Sequence, residues 1–281
     1  MLDTEEAWRT ILDIAAAGPG SADGSAPIIR TAPNWRMTVS GAGEWHVEPA
    51  ASPETDLFLA LYLPYCTTLR RGFVVAHLGQ SLDGRIATRD GVSRWVTGAA
   101  DIAHNHRMRA LSDAVVIGAS TLLHDNPRLT VRCCIGRNPV RVVVDTNRTL
   151  ADGYGAFRDG AAPTLVFVAD DKARPGERLG EAEIVPLPRR GTSVAPAEIV
   201  AELARRGLSR IFVEGGGITV SRFLAADCLD RLQITVSPLI IGSGRPSITL
   251  PEIADLRQGL RPRIRRFELG EDIMFECLLR E

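Results

Sequence analysis

The sequence predicts a layered α/β domain built on a mixed, largely parallel central sheet, preceded by a small N-terminal extension. Three observations carry that prediction. Six short runs, GFVVAHL at 72–78, DAVVIGA at 113–119, VRVVVDT at 140–146, TLVFVA at 164–169, RIFVEGG at 210–216 and LQITVSPLIIG at 232–242, are rich in β-branched and apolar residues almost throughout. Such runs suit strands covered on both faces. Helical patterns lie between several of them, as parallel βαβ connections require. The chain ends on two further strand patterns, RIRRFELGE and DIMFECLLRE, which makes the sheet mixed.

Taken in order, residues 3–17 place Trp8, Ile11, Leu12 and Ala15 at i, i+3, i+4 and i+7 of an amphipathic helix, and GPG at 18–20 stops it. A Gly/Ser/Pro-rich link follows. Trp35, Met37 and Val39, then Trp45 and Val47 beyond a glycine-rich turn, alternate as a hairpin does. PETDLFLALYLP reads as one more short helix. These residues hold no catalytic constellation, so 1–68 is expected to form an extension with a packing or partner role, and 69–281 the functional domain. Within the latter, TGAADIAHNHRMRAL and APAEIVAELARRG are the clearest helices; the second carries Ile199, Leu203 and Ala204 on one face.

The bulk numbers exclude several classes. Apolar residues at 45% and charged residues at 24% are ordinary globular composition, and a net charge of −1 offers no pull toward nucleic acid or an anionic membrane. No apolar run approaches the roughly 20 residues that span a bilayer. MLDTEEAWRT lacks the basic start and apolar core of a signal peptide, so a cytoplasmic location is expected. Five cysteines with no C-x-x-C pair argue against a disulfide framework and a zinc site. His104 and His106 would point about 200° apart on a helix, so no metal is expected.

Three stretches carry chemistry. In RIFVEGGGITVSRFL, three glycines lie where a strand turns into a helix, the place where unpaired amides and the helix dipole favour an anion. The pattern is neither G-x-G-x-x-G nor a Walker loop, and a tight left-handed turn explains it equally well. In SLDGRIATRDGVSRW, Asp83-Gly84 and Asp90-Gly91 are turn signals, while Trp95 reads either as core or as cover for a flat ring. Arg109 and Arg132 have the planar fork that suits a phosphate monoester, and either is equally a solvated surface charge. Between them Thr121, Asp125 and Asn126 precede Pro127, as a turn initiator or as a polar rim to a sugar.

Together SLDGRIA, GVSRWVTG, RMRALSDAVVIGASTLLHDNPRLTVR, VRVVVDT, VEGGGITVSRFL and DRLQITVSPLIIGSG resemble the reductase domain of the bifunctional riboflavin-biosynthesis deaminase/reductase, over roughly residues 70–281. The resemblance implies a dihydrofolate-reductase-like, three-layer fold and a homodimer. It also implies NADPH-dependent reduction of 5-amino-6-(5-phosphoribosylamino)uracil to the ribitylamino product. Carried over position by position, Ser93, Arg109, Leu129, Arg132 and Glu214 are expected to bind substrate. Gly79, Trp95, Thr121, Asp125, Thr146 and the run Gly216, Gly217, Ile218, Thr219, Val220, Ser221 and Arg222 are expected to bind NADPH. Glu214 or Asp125 would favour a cationic imine of the opened ribosylamine, and Thr146 with Arg148 would accept the cofactor's 2′-phosphate.

Three departures stand out. No H-x-E…P-C-x-x-C deaminase signature precedes residue 70, so deamination is not expected. The strand leading to SLDG reads AHLGQS, with His77 and Gln80 where the family often has Lys and a Met pair. Asp-Asp-Pro becomes Asp125-Asn126-Pro127. A related pteridine or ribosylamino heterocycle as substrate, and a non-catalytic NADPH-binding module, remain the rival expectations.

Overall fold

The computed structural model describes residues 2–18, 27–40, 43–67, 72–174 and 176–280, which form two compact units. Pro19 and Gly20 of the helix stop, the link at 21–26, Gly41 and Ala42 of the hairpin turn, and the expected boundary at 68–69 lie outside the described residues.

The first unit comprises the chain up to Arg71 together with Ile135–Arg137. Helix α1 (Thr4–Ala17) starts at Asp3, whose carboxylate accepts the Glu5 and Glu6 amides at 2.9 and 2.8 Å, the geometry of an N-cap. It packs on α2 (Pro53–Thr67), where Trp8 stands edge-on to Tyr62 at 5.7 Å. The Trp8 indole N–H donates to the Ile135 carbonyl at 2.9 Å. Three antiparallel strands, β1 (Ile28–Ala32), β2 (Trp35–Val39) and β3 (Trp45–Glu48), complete this unit. Trp35, Met37, Val39 and Val47 are buried, as their alternation anticipates. Strand β1 escapes sequence reading because its residues are only half-buried or exposed, so no hydrophobic alternation marks it.

The second unit holds the central sheet. Its strands are β4 (Phe73–Ser81), β6 (Ala114–Gly118), β7 (Val140–Val144), β8 (Thr164–Ala169), β9 (Arg178–Leu179), β10 (Ala182–Leu187), β13 (Arg210–Glu214), β14 (Arg231–Ser237), β16 (Arg263–Leu269) and β17 (Asp272–Leu278). Among the described residues their order is β16-β17-β14-β4-β13-β6-β7-β8-β10-β9. The pairs from β14 through β4, β13, β6, β7 and β8 to β10 are parallel, while β17 runs antiparallel to both β14 and β16. The sheet is therefore mixed and mostly parallel, as the alternation and the closing strands predict. Short pairs β5 (Arg85–Ala87) with β15 (Arg245–Pro246), and β11 (Arg189–Arg190) with β12 (Ser193–Val194), lie outside it.

Helices cover both faces: α3 (Ala99–Leu111), α4 (Ala119–Asp125), α5 (Pro196–Arg205) and α6 (Gly217–Ala225). On one face Val74, Ala76, Leu78, Ile211 and Val213 pack with Ile199 and Leu203 of α5 and Val220 and Phe223 of α6 into one apolar cluster. Helix α5 begins on a proline and ends on Arg205, so its sequence agrees with both its start and its dipole. The run LQITVSPLIIG is not one strand to its end. Pro238 cannot extend the ladder, and beyond Ser237 the chain leaves the sheet with Ile240 72% exposed.

Candidate active site

A cleft of about 1020 Å³ opens in the second unit beyond the C-terminal ends of the parallel strands, where ligands gather in α/β sheets. Of the residues expected to bind substrate or cofactor, Gly79, Ser93, Thr121, Asp125, Leu129, Thr146, Glu214, Gly216, Gly217, Ile218, Thr219, Ser221 and Arg222 line it. Trp95, Arg109, Arg132 and Val220 are not part of its lining.

The three glycines separate by role. Gly215 and Gly216 have φ of 81° and 72°, the left-handed region where a side chain is strained. Gly217 is the first residue of α6, and a Cβ there would sit 2.7 Å from the Pro246 carbonyl oxygen and nearer still to that of Ser247. Gly216 lies equally tight, its would-be Cβ 2.7 Å from the Thr121 hydroxyl, while a Cβ on Gly118 would come within 2.5 Å of the Thr219 hydroxyl. Helices α4 and α6 thus start against each other with each threonine seated on the other's glycine. Gly216 caps α6 without a side chain, which leaves first-turn amides open to an anionic ligand. Both the strand-to-helix placement and the tight-turn reading hold at once; Gly118 is the member of this set that sequence reading missed.

Glu214 closes β13 and is held from α3 by Arg109. The Arg109 Nε donates to Glu214 Oε2 at 2.7 Å, a second bond joins Nη2 to Oε1, and Nη1 donates to the Thr130 carbonyl at 2.9 Å. Burial works against the Arg109 charge, but the Glu214 carboxylate more than offsets it, and the guanidinium pKa is raised. The fork expected to grip a phosphate is therefore filled by a carboxylate. Arg132 stands behind it: its Nη1 donates to the Thr130 hydroxyl at 2.7 Å and carbonyl at 3.3 Å, and its amide donates to His106 Nδ1 at 2.8 Å. The two guanidinium groups so share one carbonyl oxygen, and one of them holds the carboxylate that lines the cleft with Gly216.

Two further expectations need correcting. Trp95 is 81% exposed with φ of 68°, so it is neither core nor cleft wall. Val220 is fully buried in the apolar cluster, because a helix turning about 100° per residue cannot aim seven consecutive side chains at one ligand. Asn126, by contrast, finds its reason. It caps α4 in the left-handed conformation at φ 39° and accepts the Gly155 amide at 3.1 Å, a position that suits Asn. Beside it the Ser93 hydroxyl donates to Asp125 Oδ1 at 3.0 Å.

His77, singled out only as a departure, forms the floor. Its Nε2 lies 3.0 Å from Asp101 Oδ1 and 3.1 Å from the Thr235 hydroxyl, while the Thr97 hydroxyl donates to Asp101 Oδ2 at 2.7 Å. Burial alone would raise the Asp101 pKa, but the His77 imidazole, His104 and Thr235 hold it well below the usual carboxylate range. With Asp101 ionised, the hydrogen between them is assigned to His77 Nε2. His77, Asp101 and Asn105 all line the cleft. The missed signal was present in the sequence, since Asp101, His104, Asn105 and Met108 fall at i, i+3, i+4 and i+7 of α3, so the inward stripe is largely polar. His104 is fully buried against Gln233 at 2.9 Å; burial pushes its pKa down to about 4.

Residues 72–269 match the RibD C-terminal domain. The 2,5-diamino-6-ribosylamino-4(3H)-pyrimidinone 5′-phosphate reductase of Methanothermobacter thermautotrophicus is 33% identical over 218 residues, which cover 73% of this chain and 97% of that protein. The riboflavin biosynthesis protein RibD of Bacillus amyloliquefaciens is 33% identical over 172 residues, 60% of this chain and 46% of its own. The chain thus spans nearly all of the archaeal reductase and about half of that RibD. The crystal structure of the deaminase/5-amino-6-(5-phosphoribosylamino)uracil reductase of Thermotoga maritima superposes with a TM-score of 0.62 at 28% identity, covering 79% of this chain and 61% of that one. The Saccharomyces cerevisiae riboflavin biosynthesis reductase shares the fold at a TM-score of 0.62 and 22% identity, with 80% and 99% covered. With the match running from the start of β4 to the end of β16, the chain belongs to the RibD C-terminal domain family.

Proposed function

We propose that the protein is a riboflavin-pathway reductase that uses NADPH to reduce the ribose of 5-amino-6-(5-phosphoribosylamino)uracil to a ribityl chain. The observation that carries this reading is one continuous cleft with a glycine-lined helix start and an arginine-held carboxylate on its wall. The side-chain-free turn at Gly215–Gly217 suits the cofactor's pyrophosphate, and Gly79, Thr121 and Thr146 continue the same wall. Bound there, the nicotinamide supplies a hydride.

The protein's own task is to hold the C1′ imine of the opened ribosylamine in near-attack contact, about 3 to 3.5 Å from the donor carbon. Glu214, held in place by Arg109, stabilises positive charge on that imine electrostatically. Asp101 and His77 keep a hydrogen-bonded proton at the cleft floor. Arg132 adds positive charge behind Glu214 for the substrate phosphate.

The archaeal relative's name specifies the diaminopyrimidinone rather than the uracil, so the test uses both phosphoribosylamino compounds with NADPH and follows its oxidation. Turnover with the uracil compound is expected; turnover with the diamino compound alone moves the substrate one amino group back, and turnover with dihydrofolate alone or with none of the three overturns the reading. No deaminase signature occurs in these 281 residues, which supports reduction as the one activity assigned. All five cysteines are free, which supports a reducing compartment such as the cytoplasm. Exposed Ile253, Leu256, Leu260 and Ile264, on and before edge strand β16, support a homodimer; sedimentation as a monomer at assay concentration removes that part.

A further inference from the structure

The cleft ends, away from Glu214, at Thr146, Asn147, Val194, Pro196 and Ile199. Arg148, the residue expected to meet a 2′-phosphate there, is committed elsewhere: its Nη1 lies 2.5 Å from Glu177 and donates to the Lys172 carbonyl at 3.2 Å. A different arginine bonds a residue of this wall. In the β11–β12 hairpin Arg189 is the cross-strand partner of Val194, a lining residue. Both Arg189 Nη groups donate to Asn147 Oδ1 at 3.2 Å, and Nη2 also donates to Asp171 Oδ1 at 3.1 Å. The other oxygen of Asp171 lies 3.6 Å from the Lys172 ammonium. An exposed carboxylate therefore occupies the point between a guanidinium and an ammonium, and the guanidinium's strand partner Val194 lines the cleft with Pro196 and Ile199.

We propose that Arg189 is the residue that selects a phosphorylated adenosine ribose, with the Asp171 carboxylate holding the place a phosphate monoester takes between Arg189 and Lys172. This rests on the NADPH reading above. The chemistry is that of a planar fork toward a dianion. Asp171 is 56% exposed, and an exposed ion pair of this kind yields readily to a better-placed anion. Asn147 keeps the guanidinium pointed at the wall while the carboxylate is displaced.

The test is calorimetric binding of adenosine 2′,5′-bisphosphate and of adenosine 5′-monophosphate to the full chain, as wild type, Arg189→Ala, Arg189→Lys and Asp171→Asn. Wild type is expected to prefer the bisphosphate. Arg189→Ala is expected to weaken the bisphosphate about tenfold or more and leave the monophosphate unchanged, the size of a charge-assisted hydrogen bond. Arg189→Lys falls between, and Asp171→Asn tightens the bisphosphate alone because the competing charge is gone. A wild type that prefers the bisphosphate while Arg189→Ala leaves that preference intact, or weakens both ligands equally, overturns the assignment and spares the cofactor reading. A wild type that binds both ligands alike overturns the two together.

Discussion

The two faces of the central sheet are built from the same strands and differ in kind. Residues 74, 76 and 78 of β4 face an apolar cluster shared with α5 and α6. Residue 77, between them, lies in a row that crosses four strands in register: Glu214, His77, Gln233 and Glu276. Each member of that row has a hydrogen-bond partner: Arg109 donates to Glu214, His77 donates to Asp101, His104 pairs with Gln233, and Arg231 and Arg265 donate to Glu276. Glu276 has no exposed surface at all. Burying such groups costs free energy unless every one is partnered. One face gives the sheet stability, while the other uses some of it to hold a buried polar row of which Glu214 and His77 line the cleft.

That contrast can be broken at its charged end first. Glu214→Gln leaves the buried Arg109 guanidinium without its counter-charge, an expected loss of about 3 to 5 kcal/mol in denaturant unfolding, together with a fall in turnover of at least about a hundredfold. Intact turnover would remove Glu214 from the site. On the apolar face, Leu203→Ala truncates a side chain with no exposed surface. It is expected to cost about 2 to 5 kcal/mol without altering turnover of the folded fraction; a change in turnover would show that the faces are coupled.

Acid sharpens the same comparison. His104 is neutral in the folded protein with its pKa pushed down to about 4 by burial, from 6.5. Between those values the unfolded chain binds a proton that the native one refuses, so stability present above about pH 6.5 is lost as pH falls toward 4. The expected size between pH 7 and pH 5 is on the order of 2 kcal/mol. Unfolding curves at pH 7 and pH 5 measure it, and His104→Gln should flatten the dependence; an unchanged slope in that variant would place the acid sensitivity elsewhere. The smallest effect is expected from Arg132→Ala, which keeps the Arg109–Glu214 pair and is expected to raise KM about tenfold with kcat little changed. An equal fall in kcat would move Arg132 into the reacting centre.

Much of the fold was legible because it rests on local patterns. The both-face apolar runs became parallel strands, the closing RIRRFELGE and DIMFECLLRE became the antiparallel pair β16–β17, and EGGGI became a strand-to-helix turn. Strand β1 was not legible, since IIRTA carries no alternation of apolar and polar residues and none of them is fully buried. Many of the residues named from sequence line the cleft, but which of them pair with each other was not legible. Arg109 and Glu214 were both named, but as two contacts to substrate rather than as contacts to each other, 105 positions apart in the chain. His77 was read as a missing lysine, because its partner Asp101 lies in the next helix and nothing in the spacing joins them.

Glycine needs, helix caps and strand periods follow from each residue's own backbone and its near neighbours, so residue order alone settled them. The tertiary fold decided which charges neutralise one another, which arginine bonds Asn147 beside the cleft, and which side of a doubly buried strand is polar. Those outcomes depend on distances between segments far apart along the chain, and a carboxylate's or guanidinium's energy is set by what lies within a few ångströms of it, which no one-dimensional pattern specifies.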